Sequence, residues 1–282
     1  MDLTREPSDP KTVAPEIVAY YAKGGEVNRL EQKRNRLERE RTQELLMRHL
    51  PPRPATILDI GGATGAYARW LTSRAYTVHL IDPVPFHIAQ AQQLARDQPN
   101  TAPTSVQLGD ARHLALASAS VDAVLLLGPL YHLTERADRL QALQEARRVV
   151  RPGGLVVAVG ISRFASLFDG FLSELFDDPP YAQIVAQDLA TGQHRNPLDR
   201  SYFTTAFLHH PDELRAEVEA AGLAVVDVVG IEGPGYWSVH DFDQWWNDPA
   251  LKEQILAAAR AVEHEPTLLG MGPHLMIVGR RG

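Results

Sequence analysis

The sequence predicts an α/β protein: a doubly wound, mostly parallel sheet, with N-terminal helices and a later insertion forming a cap. Three observations carry this. From residue 56 onward, short apolar and β-branched runs alternate with segments of helical period, the pattern of parallel strands joined by crossover helices. The first strand hands over to its helix through the turn Gly61-Gly62-Ala63-Thr64-Gly65. The next strands each end on a turn holding an acid or a glycine, at the edge where open α/β sheets take ligands.

The elements follow in order. Residues 1–12 are polar and contain proline, and read as a mobile arm. Residues 16–49 have a helical pattern with a break at Lys23-Gly24-Gly25. Within it, residues 29–41 mix both charge signs at helical spacing and read as a solvated helix face. Pro51, Pro52 and Pro54 end this part. They divide an N-terminal helical arm or lid, residues 1–50, from a main domain, residues 51–282.

In the main domain, strands are expected at 56–60, 77–81, 105–108, 121–127 and 155–161, with helices at 66–74, 85–96 and 136–150. Arg151-Pro152-Gly153-Gly154 closes the last helix. Residues 162–207 carry aromatics, acids and turn residues but no clean βα unit, and read as the cap insertion. A helix at 211–221, a strand at 224–229, a loop at 232–235, a largely helical stretch at 241–262 and a closing strand at 274–278 complete the chain. There is no internal repeat.

Composition bounds the function. A length of 282 residues allows one large domain or two small ones, and 44% hydrophobic with 22% charged residues is ordinary for a globular chain. A net charge of −7 argues against gripping nucleic-acid backbone, which needs a basic face. The absence of cysteine removes disulfides, thiolate metal sites and cysteine nucleophiles. No secretory leader is visible at the N-terminus, and the longest apolar runs are too short to span a bilayer. A cytoplasmic protein with no membrane or nucleic-acid partner is expected.

The glycine-rich turn lets backbone N–H groups approach a ligand at a helix N-terminus, and Asp59 just before it can accept a hydrogen bond from a ligand ammonium. Alone, such a turn also serves simply to shape a connection. Three placements extend it. Asp82, followed by Pro83, ends the second strand, where a carboxylate can take the hydroxyls of a ribose. Gly109-Asp110-Ala111-Arg112 follows the third strand, where an acid can reach an adenine amino group. Leu127-Gly128-Pro129-Leu130-Tyr131-His132 follows the fourth.

At these residues the chain resembles the class I methyltransferases that use S-adenosyl-L-methionine (SAM), in the ubiquinone/menaquinone-biosynthesis-type branch. The resemblance runs over about residues 56–161 and more weakly to the final strands. It implies a seven-stranded, Rossmann-like sheet with the last strand antiparallel, and SAM as cofactor. It places the methionine end of SAM on the loop of Asp59, Gly61, Gly62, Ala63 and Gly65, and the ribose on Asp82 beside Pro83. The adenine falls on Asp110 and Ala111, flanked by Gly109 and Arg112, and the sulfonium beside Leu127 and Gly128. Tyr21, ahead of the Gly24-Gly25 break, would close over the cofactor as part of a lid. One departure stands: the middle glycine of the family's first motif is Ala63 here.

A dinucleotide-binding dehydrogenase is the rival for this turn, but it wants G-x-G-x-x-G and a Tyr-x-x-x-Lys pair, and the chain has neither at the site. Base-methylating enzymes carry Asn/Asp-Pro-Pro-Tyr where this chain has Gly128-Pro129-Leu130-Tyr131. That favours a small organic acceptor over RNA. A SAM-binding protein without catalysis, and a homodimer as a partner state, stay open.

Methyl transfer is an in-line displacement that rests on positioning, with a general base needed only for a protonated acceptor. His132 is the candidate base, against a packing or loop-stabilising role. Tyr131, His194, Arg195, Tyr202 and Trp237 are candidates for the acceptor pocket, Arg195 for a substrate carboxylate, against plain packing. Adjacent His209 and His210 point different ways, and no acids follow the fourth strand directly, so no metal is expected.

Overall fold

A computed structural model describes residues 13–25, 28–196 and 202–282. The expected N-terminal arm, residues 1–12, lies outside them. Helix α1 (Pro15–Ala22) starts on a proline, whose fixed φ suits a position that needs no donor. A 3-10 turn (Arg29–Glu31) leads to α2 (Asn35–His49).

The βα rhythm then begins: β1 (Thr56–Ile60), α3 (Ala66–Thr72), β2 (Thr77–Asp82), α4 (Pro85–Asp97), β3 (Ser105–Leu108) and β4 (Val121–Leu126). After β4 come a single turn, α5 (Pro129–His132), then α6 (Arg136–Val149) and the long β5 (Val150–Ser162). The insertion has more structure than its sequence pattern suggested: α7 (Ala165–Leu172), α8 (Pro179–Thr191), and the short antiparallel strands β6 (Gln193–His194) and β7 (Ala206–His209). The chain closes with α9 (Pro211–Ala220), β8 (Leu223–Gly230), α10 (Gly235–Ser238), α11 (Phe242–Asn247), α12 (Pro249–Val262) and β9 (His274–Arg281). The expected helix at 241–262 is two helices, because the Asp248 side chain caps α12 at Ala250 and Leu251 and Pro249 opens a new first turn.

The sheet runs β3-β2-β1-β4-β5 with parallel pairing, and β9 lies antiparallel between β5 and β8. These are the seven expected strands. β7 adds to the end of β5 through Ile161 and Ser162. Strand order reverses at β1, so the crevice between the carboxyl ends of β1 and β4 is the switch point.

Helices cover both faces, which is why Ile57, Leu58 and Ile60 are all buried in so short a strand. One core packs Leu58, Val124 and Val156 against Leu143 of α6 and Leu214 of α9. The other packs Ile57, Leu80 and Leu125 with Leu45 of α2 and Leu71 of α3.

The solvated face expected at 29–41 is corrected by the fold. Leu37, Glu38 and Arg41 are buried, Arg41 completely. Its guanidinium donates to the Ile231 carbonyl at 3.1 Å and pairs with Glu44 at 2.7 Å and with Glu263. Mixed charge along a helix looks the same in sequence whether its partners are water or a second helix. Trp246, with Leu37, Phe242 and Leu256, is also core. Among the described residues, no helix is long and apolar enough to cross a membrane.

Candidate active site

A cavity of about 580 Å³ follows the carboxyl ends of the strands, from Asp110 beyond β3 to His274 at the start of β9. It is within the usual size range of small-molecule sites. Tyr21, Asp59, Gly61, Gly62, Ala63, Asp82, Pro83, Asp110, Ala111, Arg112, Leu127, Gly128, Tyr131 and His132 all line it. Gly65 and Gly109 stand behind the wall: Gly65 opens α3 at φ +82°, and Gly109 packs on Ile81.

The glycine loop is shaped by close contact. Gly61 has φ +68°, its N–H bonds the Ile81 carbonyl at 2.7 Å, and a Cβ there would come within 2.6 Å of Pro129. Ala63 also sits in the left-handed region, at φ +50°, which costs a non-glycine residue about 1 kcal/mol. In return its N–H points at Asp82 Oδ2, 2.9 Å away. The departure from glycine is therefore accommodated as local strain.

Asp59 is the most unusual group. It is 1% exposed, and neither carboxylate oxygen makes a well-formed hydrogen bond. Burial, and then repulsion from Asp82, push its pKa up to about 7, with the Ala68 amide offsetting only part. Such a site invites a cationic ligand.

Asp110 and Arg112 form a unit. Arg112 donates to both Asp110 oxygens, at 3.0 and 2.6 Å, and to Asp138 at 3.0 Å. Its guanidinium serves the acids, so it positions Asp110.

Tyr21 and His132 meet on the cavity wall, Tyr21 Oη to His132 Nε2 at 2.6 Å. His132 Nδ1 lies 3.2 Å from the Thr205 carbonyl, which can only accept. The proton therefore sits on Nδ1, and Nε2 accepts from the tyrosine. Burial lowers the imidazole pKa to about 4, with the Thr205 carbonyl and Asp82 opposing. Helix α1 is further tied down through Glu16, which accepts from Thr205 Oγ1 at 3.1 Å. Phe203 of the insertion packs on Tyr20 and His132.

The remaining acceptor-pocket candidates are not brought to the cavity wall. His194 is buried between Asp188 at 2.8 Å and the Phe203 carbonyl. Arg195 donates to the His194 carbonyl and Gln193. Tyr202 donates to Asp178, and Trp237 donates to the Met271 carbonyl. Each side chain ties the insertion or C-terminal region together. His209 and His210 diverge as expected: His209 bonds Glu217, and His210 caps α9.

Sequence reasoning missed His87, Arg29, Glu38 and His274, which also line the cavity. Pro85 two residues before His87 marks a helix start, and a first-turn side chain there tilts back toward Asp82; that signal was available. Nothing in sequence joins Glu38 to His274. Ligand atoms of Glu38, Glu232 and His274 lie within 4.8 Å of one another. These acids already have partners: the Arg29 guanidinium grips Glu38 at 2.6 and 2.8 Å, and His274 Nδ1 meets Glu232 at 2.6 Å.

Comparison with known proteins places the chain among methyltransferases. The family model described as a methyltransferase domain matches residues 58–158. The chain is 33% identical over 143 residues to a malonyl-[acyl-carrier protein] O-methyltransferase of Methylococcus capsulatus, covering 49% of this chain and 48% of that protein. It is 30% identical over 176 residues to the ubiquinone/menaquinone biosynthesis C-methyltransferase UbiE of Ralstonia pickettii, covering 61% and 68%. The chain thus spans about half the length of several curated relatives it matches. A SAM-dependent methyltransferase structure from Mesorhizobium loti superposes with a TM-score of 0.58 at 17% identity, over 87% of this chain and 100% of that one, which shows a shared fold.

Proposed function

The chain belongs to the SAM-dependent methyltransferase family, and from that premise we propose that it moves a methyl group from SAM to a small organic acceptor. The observation that carries the reading is Asp59, a buried carboxyl without a well-formed hydrogen bond beneath the glycine loop. SAM brings an ammonium and a sulfonium, and a cationic ligand relieves the cost of that buried acid. The close approach of Gly61 to Pro129 fits the same purpose, since it leaves bare backbone facing the cavity.

In this reading Asp82 holds the ribose, Asp110 with Ala111 holds the adenine, and Leu127 and Gly128 run beside the sulfonium. Bound SAM supplies an electrophilic methyl group. The protein's part is to orient the acceptor in line with it and exclude water. Residues 1–50 act as a lid and residues 162–207 as a cap, a division supported by the Tyr21–His132 and Glu16–Thr205 contacts.

His132 is the proposed base, acting through Tyr21. An acceptor O–H or N–H gives its proton to the Tyr21 oxygen while the Tyr21 proton passes to His132 Nε2. For a hydroxyl acceptor a base with a pKa of about 4 suffices, because an oxygen that has gained a methyl group while keeping its proton is strongly acidic. The test is formation of S-adenosylhomocysteine from SAM over a panel of phenolic, carboxylic and amine acceptors. Turnover on a small molecule supports the reading. SAM binding without turnover on any of them favours a silent binding protein, and turnover on RNA alone a nucleic-acid enzyme.

A further inference from the structure

Asp82 has fewer acceptor sites left than a ribose has hydroxyls to offer. A carboxylate accepts about four hydrogen bonds. Here Oδ1 receives the Val84 N–H at 2.9 Å and His87 Nδ1 at 3.1 Å, and Oδ2 receives the Ala63 N–H at 2.9 Å. One site remains, on Oδ2. A cis-diol brings two donors.

The second acceptor is next to it. His87 stands on the first turn of α4, 2% exposed, on the same cavity wall as Asp82. Its Nδ1 is committed to the carboxylate, so in the neutral ring Nε2 is a bare lone pair. That atom is buried and has no hydrogen-bond partner. A buried acceptor in this state is costly unless something donates to it.

We infer that Asp82 and His87 divide the ribose diol of the cofactor between them, one hydroxyl donating to Asp82 Oδ2 and the other to His87 Nε2. The inference rests on the cofactor reading above. It makes His87 a specificity-determining residue for a nucleoside with both ribose hydroxyls intact. It also gives the Asp82–His87 contact a purpose, since that bond fixes the ring so that the lone pair stays on Nε2.

Calorimetry with S-adenosylhomocysteine and its 2′-deoxy and 3′-deoxy analogues tests this on the wild-type chain and on His87→Leu. The wild type is expected to bind each deoxy analogue at least about tenfold more weakly than the parent. His87→Leu should weaken the parent by a similar factor and lose discrimination against one deoxy analogue while keeping it against the other. A variant that discriminates against both analogues as the wild type does overturns the inference. On the wild type alone, the ¹⁵N resonance of His87 Nε2 should move with the parent ligand and not with one deoxy analogue, which keeps the test independent of how well His87→Leu folds. If that resonance responds alike to all three, the inference also fails. Absence of any S-adenosylhomocysteine binding by the wild type would instead defeat the cofactor reading itself.

Discussion

Asp59 sets stability against binding within one side chain. Its folded pKa of about 7 stands above the 3.8 of an ordinary aspartate. Between those values the unfolded chain releases a proton that the folded chain keeps, so stability falls as pH rises toward 7 and stays reduced above it. A shift of this size corresponds to at most about 4 kcal/mol. Asp59→Asn should therefore melt above the wild type at pH 8, with the gap closing toward pH 4, while binding SAM at least about tenfold more weakly. Thermal melts at the two pH values and calorimetry check both halves. His132 predicts a different profile. With its pKa lowered to about 4 it stays unprotonated through the neutral range, so turnover should be flat from pH 6 to 8 on its account. His132→Ala should reduce kcat by about a hundredfold on acceptors that lose a proton, and Tyr21→Phe should do the same, as initial-rate measurements would show. Asp59 and Asp82 were visible in sequence because each stands at the carboxyl end of its strand. The Tyr21–His132 bond was not, since 111 residues separate the partners.

At the level of elements, one buried ion pair fixes the corner on which His132 sits. Arg139 of α6 grips Glu217 of α9 at 2.7 to 3.1 Å, donates to the Leu133 and Thr134 carbonyls, and lies over the Phe207 ring. Burial would raise the Glu217 pKa, but the His209 and Arg139 bonds bring it down to about 2. Its contribution is thus present at neutral pH and lost as pH falls from about 4.5 toward 2. Arg139→Ala leaves the buried Glu217 with His209 as its remaining hydrogen-bond partner, and should cost about 3 kcal/mol by urea denaturation. Helix α1 is held through Tyr21 and Glu16, and just past its end Gly24 takes φ +82°. If it serves as a lid, S-adenosylhomocysteine should slow protease cleavage near residues 23–25, read by mass spectrometry. The βα elements were legible because burial on both faces writes unbroken apolar strands. The insertion helices were not, because their stability comes from packing on neighbours, as where Tyr181 of α8 bonds the Ser166 carbonyl of α7.

For the whole molecule, a ligand that binds only the folded chain stabilises it by mass action. SAM at a hundred times its Kd should add about 2.7 kcal/mol, a rise of about 5 °C in Tm for a chain of this size. NAD at the same concentration should leave Tm unchanged, and a thermal-shift assay separates the two. The sequence by itself determined the α/β class, the seven strands and the row of Asp59, Asp82 and Asp110 at their ends. Those features are local: a strand, its turn and the next helix carry their signal within about ten residues, through hydrophobic period and turn chemistry. Only the tertiary structure decided that Arg41 is buried, that His132 faces Tyr21, that His87 backs Asp82, and that His194, Arg195, Tyr202 and Trp237 stand apart from the cavity. A polar side chain's surroundings depend on which distant backbone groups and charges the fold brings to it, and no periodicity in the chain records them.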